Sequence, residues 1–186
     1  MMNVLFVSGS NRSGATSAKL LRYMASVAKH RGAEPIMIDL WENPIPFYSP
    51  DAAPSDSNLE ALLQAAQDAD AIVLGGPEYH GSISGVLKNA LDFMGSVHFS
   101  GKPVLSVSSS GGAVAVASLT QLQAMVRNLH GVNSPEWVSI GGEQRQFAPD
   151  GVPVHEAVRT RSERAINTLL SLAQALRKDS AAHTRT

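Results

Sequence analysis

The sequence predicts an α/β protein: a doubly wound, five-stranded parallel sheet with helices on both faces. First, apolar runs rich in Val, Ile and Leu alternate with amphipathic helical patterns from one end of the chain to the other. Second, four of the five runs are almost continuously apolar, which is typical of parallel strands covered on both sides. Third, the 186 residues, 44% of them hydrophobic, suffice for one domain with a sizeable core.

The elements follow in a regular order. The predicted strands are Asn3–Ser8, Pro35–Asp39, Ala71–Gly75, Val104–Ser109 and Trp137–Ile140, of which the last is the weakest. Apolar side chains also recur at helical spacing; the clearest stripes lie within residues 20–28, 119–129 and 158–176. The sequence therefore predicts a single domain over residues 1–177 and a polar C-terminal tail over residues 178–186.

Composition excludes several classes of function. A formal net charge of −1 provides no bulk field that would attract nucleic acid or an anionic membrane, so neither is expected as a partner. The absence of cysteine excludes disulfides, thiolate metal sites and a cysteine nucleophile, and the six histidines show no metal-ligand spacing. The first strand begins within three residues, which leaves no room for a signal peptide, and no apolar run approaches the roughly 18 residues of a membrane span. We therefore expect a cytoplasmic protein with no metal site.

One connection is unusual. Residues 41–57, called the strap below, contain four prolines and three aromatic residues but little periodicity. Long loops without secondary structure inside compact domains are usually functional, and the aromatic residues of the strap would then border the site. The alternative is an extended segment that packs Trp41 and Phe47 over the core. The sequence leaves both open.

The loop after the first strand has the chemistry of a phosphate cradle. Residues 9–17 read Gly-Ser-Asn-Arg-Ser-Gly-Ala-Thr-Ser and stand between an apolar run and an amphipathic helix. Unpaired backbone N–H groups and the positive end of the helix dipole would face this loop, so an anion could bind there. Hydroxyls and one guanidinium could bind the same anion; they belong to Ser10, Ser13, Thr16, Ser17 and Arg12.

Spacing separates three kinds of anion-binding loop. A dinucleotide fingerprint needs glycine where Asn11 stands, and a P-loop needs lysine where Ala15 stands. A loop for a single phosphate, such as that of flavin mononucleotide (FMN), remains. The alternative is a Ser- and Gly-rich turn that only caps the helix, and Arg12 and the number of hydroxyls weigh against it.

Two further loops should lie at the same edge of the sheet. Ligands of open parallel sheets bind outside the carboxyl ends of the strands, where strand order reverses. Residues 75–85 after the third strand and residues 108–113 after the fourth are rich in small residues, so their backbone can lie flat against a planar ring. Three such loops converging on one edge indicate a site better than any one of them does.

The motifs in these loops resemble those of the NADPH-dependent FMN reductase family. They are Gly-Ser-x-Arg at residues 9–12, Pro-Glu-Tyr-His-Gly-Ser-Ile-Ser-Gly-Val-Leu-Lys-Asn-Ala-Leu-Asp at residues 77–92, and Ser-Gly-Gly at residues 110–112. The resemblance spans roughly Asn3 to Leu176. It implies a flavodoxin-like fold and places the chain beside azoreductases, quinone reductases and chromate-reducing enzymes.

The resemblance also implies the site residues. Those implied for the FMN phosphate are Ser10, Arg12, Thr16 and Ser17. Those implied to edge the isoalloxazine ring, largely through backbone groups, are Pro77, Glu78, Tyr79, His80, Gly81 and Ser82. Those implied to close its other side are Ser109, Ser110, Gly111 and Gly112. The chain departs from the family pattern at three places, where relatives often have serine at Ala15, asparagine at His80 and a second Gly-Gly pair at Ala115-Val116.

An FMN-dependent oxidoreductase is the function that the resemblance implies. NADPH or NADH would donate a hydride, and the reducing equivalents would pass, in a ping-pong sequence, to a small-molecule electron acceptor at the same ring face. That acceptor would be a quinone, an azo compound, free flavin or an oxidised metal species. No catalytic side chain is required. The alternatives are a flavodoxin-like electron carrier, which is typically strongly acidic, and a nucleotide-binding protein without redox chemistry.

The segment after the central motif predicts self-association. A helix is expected over Val86–Met94, and with the preceding loop it carries more apolar surface than one helix face buries. The residues concerned are Tyr79, Val86, Leu87, Leu91, Phe93 and Met94. We therefore expect a homodimer or homotetramer. Lys88 and Asp92 are spaced for an i, i+4 ion pair, and Glu78 should turn its carboxylate away from a ring that becomes anionic on reduction.

Overall fold

The five parallel strands predicted from the sequence are present. The computed structural model describes residues 1–52 and 54–183, with side chains as far as Arg177. The sheet has the order β2-β1-β3-β5-β6 and consists of β1 (Met2–Ser8), β2 (Ala33–Asp39), β3 (Ala71–Tyr79), β5 (Pro103–Ser109) and β6 (Val132–Ile140). A two-residue strand, β4 (Ser82–Ile83), pairs antiparallel with the end of β3. Strand order reverses between β1 and β3, as in doubly wound sheets.

Helices cover both faces of the sheet, as expected. They are α1 (Thr16–His30), α2 (Ser57–Asp68), α3 (Gly85–Asp92), α4 (Ser96–Phe99), α5 (Val116–Asn128) and α6 (Glu156–His183), with a 3₁₀ helix at Gly142–Arg145. On one face, α1 and α6 bury their apolar stripes against Phe6 and Leu105. On the other face, α2, α3 and α5 pack against Leu5, Ile72 and Val104.

Among the described helices, none is long and apolar enough to cross a membrane.

The third strand is longer than the sequence predicts. Instead of ending at Gly75, β3 continues to Tyr79. Gly76 and Pro77 still pair with β5, and the last two residues of the strand pair with β4. The central motif, residues 77–92, therefore begins inside the sheet. Its last part, α3, lies outside the sheet. This helix ends at Asp92, two residues before the predicted end.

Both ends of the last strand–helix unit also differ from the prediction. β6 begins at Val132 rather than Trp137, although Pro135 lies within it. β6 is an edge strand: among the described strands it pairs with β5 alone, and its register is irregular. A strand tolerates proline under these conditions. α6 continues to His183, so residues 178–183 of the expected polar tail extend this helix. Residues 184–186 of that tail lie outside the described residues.

Two aromatic residues of the strap, Trp41 and Phe47, do not cover the core, whereas Ile45 of the strap packs against it. The side chains of Trp41 and Phe47 are 50% and 91% exposed, so the alternative in which they pack over the core is wrong. The strap is instead fastened to α3 by Asn89. The Asn89 amide donates to the Pro46 carbonyl, and its side-chain oxygen accepts the Tyr48 N–H, both at 2.8 Å.

The α3 region has less free apolar surface than the sequence predicts. Leu87, Leu91 and Met94 are buried in the chain's own core, because α3 packs directly on the sheet, and none of them keeps more than 7% of its surface exposed. The expectation of a large apolar excess is therefore wrong for half of the residues named. Those that keep exposed or partly exposed surface are Tyr79, Val86 and Phe93.

Candidate functional site

The loops that follow β1 and β5 meet the last residues of β3 at the predicted carboxyl edge of the sheet, and together they enclose an open cleft of about 100 Å³. Its lining residues are Ser10, Arg12, Ala15, Thr16, Ser17, Pro77, Glu78, Tyr79, Ser109, Ser110, Gly111 and Arg145. The structure thus brings together ten of the fourteen predicted site residues and adds Ala15 and Arg145. No described residue of the strap is among them, so its aromatic side chains do not border this cleft.

Four predicted site residues lie outside this cleft: His80, Gly81, Ser82 and Gly112. His80 and Gly81 are the central residues of the β3–β4 hairpin, with φ of +52° and +69°. A type I′ turn requires positive φ at both positions, and the two residues are exposed. Gln121 of α5 holds the hairpin, since it accepts from the Ser82 hydroxyl at 2.8 Å and donates to the Gly81 carbonyl at 3.0 Å. A role of these four residues beside a flavin ring stays a prediction.

The start of α1 provides an anion-binding corner. The residue before the helix is Ala15, which makes no side-chain cap, and the Lys19 N–H donates to the Ala15 carbonyl at 3.0 Å as the first intrahelical bond. The N–H groups of Thr16, Ser17 and Ala18 therefore have no intrahelical acceptor, and they lie at the positive end of the helix dipole. A serine in place of Ala15 could cap these groups itself, whereas alanine leaves them to a ligand.

Ser17 places an unpaired hydroxyl beside this corner. Its side chain is completely buried and lines the cleft, and its hydroxyl has no hydrogen-bond partner in the described part of the chain. Buried hydroxyls are nearly always paired, because an unpaired one costs about 1–3 kcal/mol. A phosphate oxygen at the start of α1 would pair it. The residues of this corner therefore fit a phosphate monoester.

Two guanidinium groups border the same cleft. Arg12 and Arg145 are both exposed, and neither forms an ion pair with a carboxylate of the described residues. The backbone N–H of Arg12 donates to the buried Ser10 hydroxyl at 3.4 Å. Sequence reasoning misses Arg145, because the connection after β6 lacks the composition of a phosphate loop. The rule that loops after all parallel strands share one edge of the sheet would have pointed to it.

Glu78 is the one carboxylate among the lining residues, and α5 engages it. Its Oε2 accepts the N–H and the hydroxyl of Ser118, each at 2.9 Å, and Ser118 is the third residue of α5. The helix dipole and these charge-assisted bonds stabilise a carboxylate at this position. As expected, the Glu78 charge is not left free to face a ligand.

The side chains of the cleft are equipped to bind rather than to attack. No histidine is among the lining residues, and the lining hydroxyls have no adjacent base that would activate them. Within the described residues, no group of three or more His, Asp or Glu side chains could hold a metal ion. The site therefore offers anion binding and a border of small residues for a planar group.

Comparison with known sequences agrees with this chemistry. The family model for NADPH-dependent FMN reductase matches residues 2–145. An FMN-dependent NADPH-azoreductase from Staphylococcus aureus (strain USA300) is 34% identical over 143 residues, which are 74% of this chain and 76% of that enzyme.

Solved structures share the fold. A flavoenzyme NAD(P)H:(acceptor) oxidoreductase from Paracoccus denitrificans matches with a TM-score of 0.79 at 23% identity, over 94% of this chain and 98% of that one. An azoreductase from Bacillus anthracis str. Sterne matches with a TM-score of 0.57 at 19% identity, over 96% of this chain and 100% of that one. These likenesses confirm the flavodoxin-like fold. The chain belongs to the NADPH-dependent FMN reductase family and is an FMN-dependent NAD(P)H oxidoreductase.

Proposed function

We propose that this oxidoreductase reduces small, flat, conjugated acceptors, azo compounds and quinones foremost, with free flavin and oxidised metal species as further candidates. The observation that carries the proposal is the cleft, in which the phosphate-binding corner continues into a border made of Pro77, Tyr79 and the small residues after β5. Planar molecules of several shapes fit beside such a border, and the border discriminates only weakly among them. The name of the related azoreductase supports azo compounds.

In this proposal the chain binds and positions, while FMN supplies the redox chemistry, a hydride transfer from NADPH or NADH to the acceptor. Pro77–Tyr79 and Ser109–Gly111 border the isoalloxazine ring, mainly with backbone groups. Ser118 and the positive end of the α5 dipole stabilise the Glu78 carboxylate, which offsets part of its repulsion of negative charge at the ring. The corner at the start of α1 holds the FMN phosphate through Ser10, Arg12, Thr16 and Ser17.

The test is spectroscopic first and kinetic second. The purified protein should show a flavin absorbance band that NADPH bleaches without oxygen, and the flavin released on denaturation should be FMN. Steady-state assays with an azo dye and with quinones should then give parallel lines in double-reciprocal plots, because donor and acceptor use the same ring face in turn. A colourless protein that takes up no added FMN contradicts the proposal. One strongly preferred acceptor contradicts broad specificity.

An electron carrier without an acceptor of its own is the weaker alternative. A net charge of −1 gives such a carrier little means to dock on a basic partner, and the relative at 34% identity is an azoreductase. Turnover of a dye by the purified chain and NADPH alone would exclude the carrier.

We further propose that the chain acts in the cytoplasm, where its reduced nicotinamide donors are found, as a homodimer or homotetramer. Exposed aromatic surface near α3 supports assembly, since Phe47 is 91% exposed and Tyr79 45% exposed. A groove of about 370 Å³ between α3 and α5 adds to it and is bordered by Lys88 and Asp92, whose ion pair is 2.6 Å long. Sedimentation velocity at micromolar concentration should show a dimer or a larger species. A monomer at every concentration contradicts this proposal.

A further inference from the structure

Arg145 reaches the cleft from the far edge of the sheet. It ends the 3₁₀ helix that follows β6, and β6 stands three strand spacings, roughly 14 Å, from β1, whose loop carries Arg12. Nevertheless, both side chains line the same cleft. Neither has a carboxylate partner among the described residues, so the cleft contains two guanidinium charges that the described chain does not neutralise.

The packing of the loop after β6 holds Arg145 in this place. Gly141, just before the 3₁₀ helix, lies so close to the loop after β5 that a Cβ on it would overlap the Gly112 carbonyl oxygen. Gln144 is held from the other side, because its side-chain oxygen accepts a hydrogen bond from Arg161 at 3.2 Å. The Arg145 side chain makes one local bond, from Nε to a carbonyl of the 3₁₀ helix at 3.2 Å. Its terminal nitrogens are therefore not committed to another described residue.

We propose that Arg145 is a second phosphate-binding cation of this site, in addition to Arg12, and that its ligand is a phosphate monoester. The assignment rests on the proposed function, because two ligands of such an oxidoreductase carry this group: FMN its 5′-phosphate and NADPH its 2′-phosphate. A monoester dianion is matched by two guanidinium groups better than by one, and the planar fork of arginine binds two phosphate oxygens at once. The acid in the lining, Glu78, does not compete, since α5 engages it.

Two arms of one experiment distinguish the sources of the phosphate. If the FMN phosphate is bound, Arg145→Ala raises the Kd of FMN about tenfold and leaves that of riboflavin unchanged. If the donor phosphate is bound, the same variant lowers kcat/KM about tenfold for NADPH and not for NADH. Arg145→Lys should recover part of either effect, because it keeps the charge and loses the fork. Flavin binding is followed by fluorescence quenching, which does not depend on turnover.

Arg31→Ala is the matched control, because Arg31 is exposed in a hollow beside Met2, at the opposite edge of the sheet. The thermal midpoint of the flavin-free protein should be equal in all variants, since Arg145 is exposed. Equal losses for phosphorylated and unphosphorylated ligands, or no loss for any of them, would overturn the assignment. A parent protein that binds no FMN would instead overturn the proposed function, and this assignment with it.

Discussion

The carboxylate of Glu78 accepts two hydrogen bonds from Ser118, one from its N–H and one from its hydroxyl, each at 2.9 Å. Ala115, which precedes α5, makes no side-chain cap, so Glu78 caps this helix from the end of β3. The Ser118 hydroxyl also lies 2.7 Å from that of Ser108, in β5. The pair thus connects two strands of the site with the helix between them, and it satisfies groups that would otherwise be buried and unpaired.

We expect Ser118→Ala and Glu78→Gln each to lower the free energy of unfolding by about 1–2 kcal/mol, because either change weakens the external cap of α5. The double variant should lose less than the sum, since the two residues share one interaction. Urea denaturation of the four proteins measures this coupling. Glu34→Gln is the control, as Glu34 is an exposed carboxylate on β2. Strict additivity would show that the two residues stabilise the fold independently.

Ser17→Ala should separate binding from folding. The Ser17 hydroxyl is buried without a partner in the described chain, so its removal should leave the flavin-free protein as stable as the parent or more stable. Affinity for FMN should fall by about fivefold, the equivalent of one neutral hydrogen bond. Thermal unfolding without flavin and FMN titration give the two numbers. A destabilised flavin-free protein with unchanged FMN affinity would mean that the hydroxyl serves the fold.

Arg12→Ala should weaken FMN binding by about one to two orders of magnitude, because charge-assisted bonds to phosphate contribute about 1.5–3 kcal/mol. Ser10→Ala should cost less, since it removes a neutral group. Riboflavin, which has no phosphate, should bind the parent and both variants alike. Unchanged FMN affinity in Arg12→Ala would place the phosphate elsewhere.

His80 occupies a backbone conformation that is uncommon for residues other than glycine. Its φ is +52°, and the φ of His130, after α5, is +66°. Asparagine tolerates this region best among residues with a side chain, and β-branched residues tolerate it worst. We expect His80→Asn and His130→Asn to leave stability equal or higher, and His80→Val to lower it by about 1–2 kcal/mol. Urea denaturation at neutral pH is the measurement; a His80→Val variant as stable as the parent would refute the steric explanation.

His98 should make stability depend on pH. Burial lowers the pKa of His98 from its ordinary value of 6.5, and its Nδ1 accepts the Gly95 N–H at 3.0 Å, which requires the neutral ring. A group with a lowered pKa that is neutral in the fold contributes stability above its unfolded pKa, and this contribution is lost as pH falls through the folded pKa. The difference in free energy of unfolding between the parent and His98→Gln should therefore shrink as pH falls below the ordinary histidine pKa of about 6.5. A difference that stays constant as the pH is lowered through this value would contradict the prediction.

The sequence by itself determined the layered fold and most of the phosphate corner. Continuous apolar runs such as Val4–Val7 are typical of parallel strands covered on both faces, and the loops that follow such strands lie at one common edge of the sheet. The corner at Ser10 to Ser17 could be predicted because a strand, a polar turn and a helix start stand next to one another in the chain. The spacing of apolar side chains and the direction of a helix dipole depend only on residues that are close together in the chain. No long-range information is therefore needed to predict them.

Only the tertiary structure decided which distant residues complete the site. Arg145 enters the cleft because Gly141 allows the loop after β6 to pack against the loop after β5, and the Glu78 carboxylate in the lining accepts hydrogen bonds from Ser118, 40 residues further along. The exposure of Phe47 likewise follows from where Asn89 fastens the strap. These outcomes depend on strand order and on close contacts between separate loops. Their free energies come from pairs of residues far apart in the chain, which no local pattern of hydrophobicity encodes.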